Sequence, residues 1–218
     1  MSAIDLDQLL AVISPAAPSG EKDLESDPAF VDLEIKIEGT PARFDGTSEH
    51  DAIGPNWHEI RDAAFELLTR THDLRVAMSF TRAMLHTAGL SGLSTGLELL
   101  CGLIDGYWET LYPRLDPEDN NDPTQRFNIL VALCEGEDII VPLSKTNLCV
   151  SRVFGQFSLR DIHFASGKIE PTKGNKTPIP TTDIIAAAFK DCGVEDLQAT
   201  ETAINASLQN LDTLITVL

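Results

Sequence analysis

The stretch from Asn56 to Cys134 constrains the fold most, because apolar residues recur along it at the three- and four-residue steps of one helical face. This pattern predicts four consecutive helices with short joints. The third, about Gly92 to Tyr112, is the most apolar and carries four glycines in two pairs spaced by four: Gly92 and Gly96, then Gly102 and Gly106. An interior glycine costs a helix roughly 1 kcal/mol relative to alanine. We therefore expect these glycines to let another backbone approach closely.

The two helices before the glycine-bearing one form a predicted helical hairpin. Asn56, followed three residues later by Glu59, has the pattern of a capping box at the start of the first helix. The second helix begins at Thr71 or Asp73, and Gly89 stands where a left-handed residue after a helix is favoured.

A fourth helix is predicted after the glycine-bearing one. Pro113 ends the third helix because it lacks an amide proton, and Asp122 can cap the fourth. The residues of the fourth helix that we expect to face inward are Phe127, Leu130, Leu133 and Cys134.

The N-terminal flank carries two further helical patterns. Residues 4–13 form one short predicted helix, and Asp27 followed by Pro28 resembles a cap and first helical residue for a second, through about Ile37. From Glu38 to Pro55 glycine, proline and charge replace periodicity, which indicates a loop.

Beyond Gly136 the pattern changes towards β-branched residues. Residues 139–141 and 148–154 are rich in them, and Gly155 precedes a second such run. The fold class predicted for the chain is therefore mainly all-α, a multi-helix bundle of α-hairpins with one small β-hairpin near residues 139–160.

The C-terminal part divides at a polar, proline-containing loop, residues 168–180. We predict a domain over 1–167, this linker, and a helical hairpin over 181–218 that belongs to a longer protein. In the last helix, apolar residues alternate by four and three: Ile204, Leu208, Leu211, Ile215 and Leu218. The rhythm fits a coiled-coil seam for a homo-oligomer, and it fits equally a helix that packs on its own domain.

The composition of the chain limits the classes of partner that it can bind. The 218 residues include 34 acidic and 16 basic ones, a formal net charge of -18, so a nucleic acid or an anionic membrane would be repelled. We found no segment with the ~20 apolar residues of a membrane helix. The four cysteines lie far apart and are interpreted as reduced core residues of a cytoplasmic protein.

Motifs that carry chemistry are incomplete. Gly92-Leu93-Ser94-Thr95-Gly96 matches the bare pattern of a hydrolase nucleophile elbow, but that elbow needs a strand before the serine, and a helix is predicted there. The acids from Asp116 to Asp122 lack the glycine and glutamate of a calcium loop. We predict no catalytic residue, no cofactor and no metal site.

Protein-binding anchors are the remaining candidates. Trp57, Tyr107 and Trp108 are aromatic residues of the kind that dominate interface hot spots, although core packing explains them too. Arg75 is expected to pair with an acidic neighbour. The full set of candidate interface residues is Trp57, Arg75, Tyr107, Trp108, Ile204, Leu208, Leu211 and Ile215.

Residues 8 to 165 resemble the ImpA-type N-terminal domain of TssA proteins from bacterial type VI secretion systems. The resemblance rests on the order and spacing of short runs: Ile13-Ser14-Pro15, Asp27-Pro28-Ala29-Phe30, Trp57 to Leu68, Asp73 to Ala77, Gly89 to Leu93, Gly96-Leu97, Tyr107 to Pro113, and Arg126. Thr71-His72 departs from it, since serine and lysine are expected before Asp73.

The resemblance implies a non-enzymatic assembly protein in the bacterial cytoplasm. It would bind baseplate, sheath or tube proteins of the secretion apparatus through helical surfaces, with no nucleic acid and no membrane insertion. Two alternatives stay open at this point: a generic cytoplasmic helical adaptor, and a serine hydrolase that uses Ser94.

Overall fold

The computed structural model describes residues 4–44, 49–170 and 178–217. Helices dominate, confirming the predicted fold class. In chain order the elements are α1 (Leu6–Leu9), α2 (Pro28–Glu38), β1 (Arg43–Phe44), β2 (Glu49–His50), α3 (Trp57–Leu68), α4 (Leu74–Tyr107), α5 (Thr124–Val131), α6 (Val141–Lys145), β3 (Asn147–Ser151), β4 (Gly155–Ser158), α7 (Leu159–Ala165), α8 (Thr182–Asp191) and α9 (Val194–Val217).

Helix α4 is a tight antiparallel hairpin. Gly89, at φ 63° and ψ -138°, breaks it into a first arm, residues 74–88, and a second arm, residues 90–107. A Cβ on Gly92 would lie 2.1 Å from the carbonyl oxygen of Met84, and one on Gly96 would lie 2.8 Å from the Cα of Thr81. The predicted role of these two glycines is confirmed, because no larger residue leaves room for the opposite arm. For the other pair the prediction is wrong, since Gly102 faces the Leu10 side chain and Gly106 faces open space.

Helices α1, α2 and α3 pack around this hairpin and complete a first hydrophobic core. Helix α2 begins as predicted, with the Asp27 carboxylate accepting a hydrogen bond from the Ala29 amide. The predicted capping box at α3 is wrong: the Asn56 side chain makes no cap bond to the backbone and instead donates to the Glu59 carboxylate at 2.7 Å.

Several predicted boundaries are corrected. The first helix ends at Leu9 rather than residue 13, and the glycine-bearing helix ends at Tyr107, five residues before the predicted end. Within the predicted loop 38–55, β1 pairs antiparallel with β2, and Thr40 bridges Ile53; residues 45–48 lie outside the described part.

The fourth predicted helix appears as α5, and the Asp122 carboxylate accepts a hydrogen bond from the Thr124 amide at 2.9 Å. Leu130 is buried, as expected. Phe127 and Cys134 are exposed, so the inward orientation predicted for them is wrong. Helix α5 is followed directly by a 3₁₀ turn, Ala132–Cys134, in which Leu133 packs against the first core as expected and Cys134 does not.

The predicted β-hairpin is confirmed as β3 and β4, which pair antiparallel with Cys149 opposite Phe157. Residues 139–141, also predicted to be β-rich, are instead helical: Ile139 and Ile140 end a π-helical turn, Gly136–Ile140, and Val141 begins α6. Together with α8 the hairpin encloses a second core, whose buried residues are Cys149, Phe157, Ile185, Ala188 and Cys192.

Helix α9 lies along the second arm of α4, and its Leu214 is part of the first core. The Asn210 side chain donates to the carbonyl oxygen of Ser94 at 3.3 Å, and the Cys101 thiol donates to the Asn210 carbonyl. Residues 171–177 of the predicted linker and Leu218 lie outside the described part, and the division of the chain at 168–180 stays a prediction.

One helix of the described residues, α4, is long and apolar enough to cross a membrane by length and composition alone, which the sequence reading missed. Core helices of soluble proteins pass the same test. The break at Gly89 and the burial of Leu97, Leu99 and Leu103 in the first core agree with a core helix.

Candidate protein interface

Trp57 lies at the start of α3, near the turn of the α4 hairpin. Its ring stacks on His86 with centroids 4.0 Å apart and planes within 5°, and the guanidinium of Arg82 lies 5.7 Å from its centroid. Arg82 also forms an ion pair with Asp138 at 2.8 Å. Trp57 is half-buried, so part of this stacked group faces solvent.

Arg75 is engaged within the protein, as the sequence suggested. Its guanidinium contacts the buried carboxylate of Asp73 at 2.6 Å and that of Asp23 at 3.0 Å, and it lies over the Phe30 ring. Burial alone would lower the pKa of Arg75, but hydrogen bonds and attraction from Asp73 and Asp23 raise it above its ordinary value. Arg75 therefore fixes the loop before α2 to the start of α4.

Tyr107 and Trp108 stand together where α4 ends. The Tyr107 hydroxyl donates to the carbonyl oxygen of Leu10 at 2.5 Å, and its ring meets His72 edge-on with centroids 4.0 Å apart. Trp108 is half-buried and stacks over the guanidinium of Arg126 at 4.6 Å. These contacts hold both aromatic rings in fixed positions.

Arg126 organises this end of the hairpin, a role that the sequence reading missed. Only 1% of it is exposed, and it donates to the carbonyl oxygens of Pro113 at 2.9 Å, Trp108 at 2.6 Å and Leu111 at 2.6 Å. Burial, and then repulsion from Arg114, lower its pKa. The proline that ends the helix was the available signal, because the carbonyls freed there need a donor.

His72 was also missed. It is fully buried, and neither ring nitrogen makes a hydrogen bond of good geometry. Burial lowers its pKa to about 4, against a smaller opposing effect of the carbonyls of Ala11 and Leu9. The residue that departs from the family pattern is thus a neutral imidazole packed under Tyr107.

A shallow cleft of about 710 Å³ opens beside Tyr107 and Trp108. Its walls include Leu10, Val12 and Pro18 from the chain around α1. The cleft is lined by two of the predicted aromatic anchors, Tyr107 and Trp108.

Only part of the predicted apolar seam on α9 is buried. The residues that α9 buries are Ala203, Ser207 and Leu214, one position before three of the seam residues. Leu211 packs against the first core and Ile204 is half-buried, whereas Leu208 is 56% exposed and Ile215 is 77% exposed. Part of the apolar stripe therefore remains on the surface.

The eight candidate residues do not meet in one place. Trp57 lies near the turn of the α4 hairpin, Tyr107 and Trp108 lie at its open end, and the arms between them are roughly 20–25 Å long. Arg75 is held in an ion-pair network, and the α9 residues follow the side of the second arm.

Ser94 lies inside α4, with a helical residue on either side, so it is not on the strand-to-helix turn of a nucleophile elbow. Among the described residues no group of three or more His, Cys, Asp or Glu could hold a metal ion. The four cysteines are free; Cys149 and Cys192 are buried, but Cys134 is exposed, against expectation.

The fold defines a class: a helical domain built on one glycine-bearing α-hairpin with aromatic residues at both of its ends. A family model described as ImpA, N-terminal, type VI secretion system, matches residues 10–135, more than half of the chain. The chain belongs to this family, the ImpA N-terminal domain of type VI secretion TssA components, as its sequence resemblance indicated.

Two known proteins are similar to it. The type VI secretion system component TssA1 of Pseudomonas aeruginosa is 37% identical over 207 residues, which is 95% of this chain but 58% of that protein. The solved N-terminal domain, including the conserved ImpA_N region, of the TssA component from Burkholderia cenocepacia matches with a TM-score of 0.69 and 27% identity, covering 97% of this chain and 83% of that one. The chain thus spans a little over half the length of TssA1.

Proposed function

We propose that this domain is a non-enzymatic, cytoplasmic assembly factor that binds baseplate, sheath or tube proteins of a type VI secretion system. The observation that carries the proposal is the similarity to TssA1, a secretion-system component, over 95% of the chain. The position of Ser94 within a helix supports this proposal over the hydrolase alternative, because a nucleophile elbow needs a strand before the serine.

Binding through preformed surfaces fits the way this fold is held. The open end of the hairpin is fixed by Arg126, and the start of α4 is fixed by the ion pairs of Arg75. A partner would thus meet side chains that are already ordered, which reduces the entropy lost on association.

The test is a binding measurement with purified proteins. The chain is immobilised, and baseplate, sheath and tube proteins of the same gene cluster are passed over it at 0.15 M and 0.5 M salt. We expect saturable binding of at least one of them at both salt concentrations, because a specific interface keeps its apolar contribution when charges are screened. An unrelated acidic helical protein is the control, and equal signals from control and chain, or none, would reject the proposal.

A further inference from the structure

The cleft beside Tyr107 and Trp108 has an apolar wall and an open floor. Val12, which is 57% exposed, and Trp108 both line it. Gly106, on the last turn of α4, lines it too, and a Cβ placed there would meet no other part of the described chain within 4 Å. The two inner glycines of the second arm admit the opposite arm, whereas Gly106 leaves space that no part of the described chain fills.

The cleft is rigid. The Tyr107 hydroxyl holds the Leu10 carbonyl, and a Cβ on Gly102 would lie 2.8 Å from the Leu10 methyl groups. The Ser19 and Thr110 hydroxyls are hydrogen-bonded at 2.8 Å, which joins the chain after α1 to the end of α4. An aromatic ring held in this way loses little freedom on binding, the condition under which aromatic residues become hot spots.

The charged side chains that line the cleft are acidic. They are Asp105 and Glu109, both exposed carboxylates, whereas the Arg126 guanidinium that lies over the Trp108 ring is buried. Other clefts of the described surface include cations: Arg70 lies in the one beside α2, and Lys145 and Arg160 lie in the one beside α7. An apolar surface with an acidic rim complements an apolar side chain that has basic neighbours.

We propose that this cleft is a docking site for a segment of a partner protein that inserts an apolar side chain over Gly106 and places Lys or Arg beside Asp105 and Glu109. The proposal deepens the assembly function and rests on it, since the partner would be a protein of the secretion apparatus. A second copy of the chain fits poorly, because its own acidic surface would face the same acidic rim.

The first test uses random twelve-residue peptides displayed on phage and selected on the whole chain. We expect enriched peptides with an apolar residue flanked by Lys or Arg. A fluorescein-labelled peptide of that consensus should bind the Gly106→Leu variant at least about tenfold more weakly, because the new side chain fills the cleft. Gly136→Leu, at another glycine with open space around it, is the matched control and should bind like the unchanged chain.

The second test reverses the charge of the rim. The double variant Asp105→Lys, Glu109→Lys should weaken the same peptide about tenfold at low salt and less at 0.5 M salt. Glu98→Lys, an exposed position on the same arm, should have a much smaller effect. Circular dichroism on each variant checks that the helices are intact.

Three results would overturn the docking site: no enriched peptide, an acidic consensus, or equal binding by Gly106→Leu and the unchanged chain. These outcomes are separate from failure of the assembly function. If secretion proteins bind the unchanged chain and Gly106→Leu equally, the assembly function stands and this cleft is excluded. If they bind neither, while the peptides bind as expected, the assembly function fails alone.

Discussion

The two hydrophobic cores are built on different principles. The first packs the arms of α4 backbone to backbone at Gly92 and Gly96 and ties its open end with one buried cation, Arg126. The second, between the β-hairpin and α8, is a small cluster of ordinary side chains, including Phe157 and Ile185.

The two cores also bury ionisable groups of different kinds. Burial lowers the pKa of His72 in the first core, so the cationic form is disfavoured there. In the second core, burial and then the neighbouring Cys192 raise the pKa of the Cys149 thiol, so the anionic form is disfavoured. Acid should therefore weaken the first core, whereas alkali should weaken both, because burial also raises the pKa of the Cys101 thiol that packs against the first core.

The difference indicates where the domain tolerates change. A core that depends on close backbone contact and on a few hydrogen-bonded polar groups tolerates few substitutions at each of its positions. A core held together only by contacts between side chains can rearrange after a substitution with a moderate loss of stability. The first core should therefore be the more sensitive of the two to substitution.

Arg126→Ala should have the largest effect. It leaves three carbonyl oxygens without their donor and opens a cavity beneath Trp108, which we expect to lower the free energy of unfolding by roughly 4 kcal/mol. Urea denaturation measures it. Arg160→Ala, a half-buried arginine over Phe164 near the second core, is the control and should cost no more than about 1 kcal/mol. If the two variants lowered the free energy of unfolding equally, the first core would not be more sensitive to substitution than the second.

Gly92→Ala should follow, at about 3 kcal/mol. The added Cβ would lie 2.1 Å from the Met84 carbonyl oxygen, so the arms must separate to admit it. Thermal and urea denaturation report the loss. Gly136→Ala has open space around its Cβ and should change stability by no more than about 0.5 kcal/mol. A stable Gly92→Ala protein would show that the arms can shift without cost.

Acid should destabilise the domain through His72. Between its unfolded pKa of 6.5 and its folded pKa of about 4, the unfolded chain binds a proton that the folded chain does not. Stability therefore falls as pH falls across this window, by roughly 3 kcal/mol in total. His72→Leu should flatten most of that slope in urea denaturation at several pH values. The remaining slope includes His86, whose pKa is also lowered by burial.

An unchanged slope in His72→Leu would mean that the imidazole is not the acid-sensitive group of the first core. Asp27 would not explain such a result, because its pKa is lowered to about 2 by Arg70 and its contribution is lost mainly at lower pH.

The sequence predicted the break at Gly89 and the close approach at Gly92 and Gly96 because these signals are local, but it paired the first arm of α4 with α3 and did not predict that the two arms of α4 pack on each other. Glycine at the turn, and glycines spaced by four on an apolar helix, indicate that another segment of backbone approaches the helix closely, whichever segment that is. The β-hairpin was likewise visible in β-branched runs around Gly155. The capping box at Asn56 failed because the side-chain amide of Asn56 donates to the Glu59 carboxylate, which a capping box would pair with the Asn56 backbone amide, and sequence does not rank the two donors.

The candidate site was only partly predictable. Aromatic identity selected Tyr107 and Trp108, but the cleft beside them depends on the chain around α1, nearly a hundred residues away in sequence. Long-range contacts of this kind leave no periodic signal. For α9, the apolar spacing selected Leu208 and Ile215. The face of α9 that packs on α4 is shifted by one residue from that spacing, and it is accompanied by the polar contacts of Asn210 with Ser94 and Cys101.

Ser151→Ala should have the smallest effect and should stay within the second core. The Ser151 hydroxyl donates to the Asp191 carboxylate at 2.6 Å and accepts from the amides of Val153 and Phe154, so its loss frees the tip of the β-hairpin from α8. We expect about 1–2 kcal/mol of local destabilisation, read as faster hydrogen exchange in β3 and β4 with unchanged protection in α4. Ser166→Ala, at an exposed hydroxyl, should leave both unchanged. If exchange instead quickened equally in α4, the two cores would open as one cooperative unit, and their different construction would not make them independent.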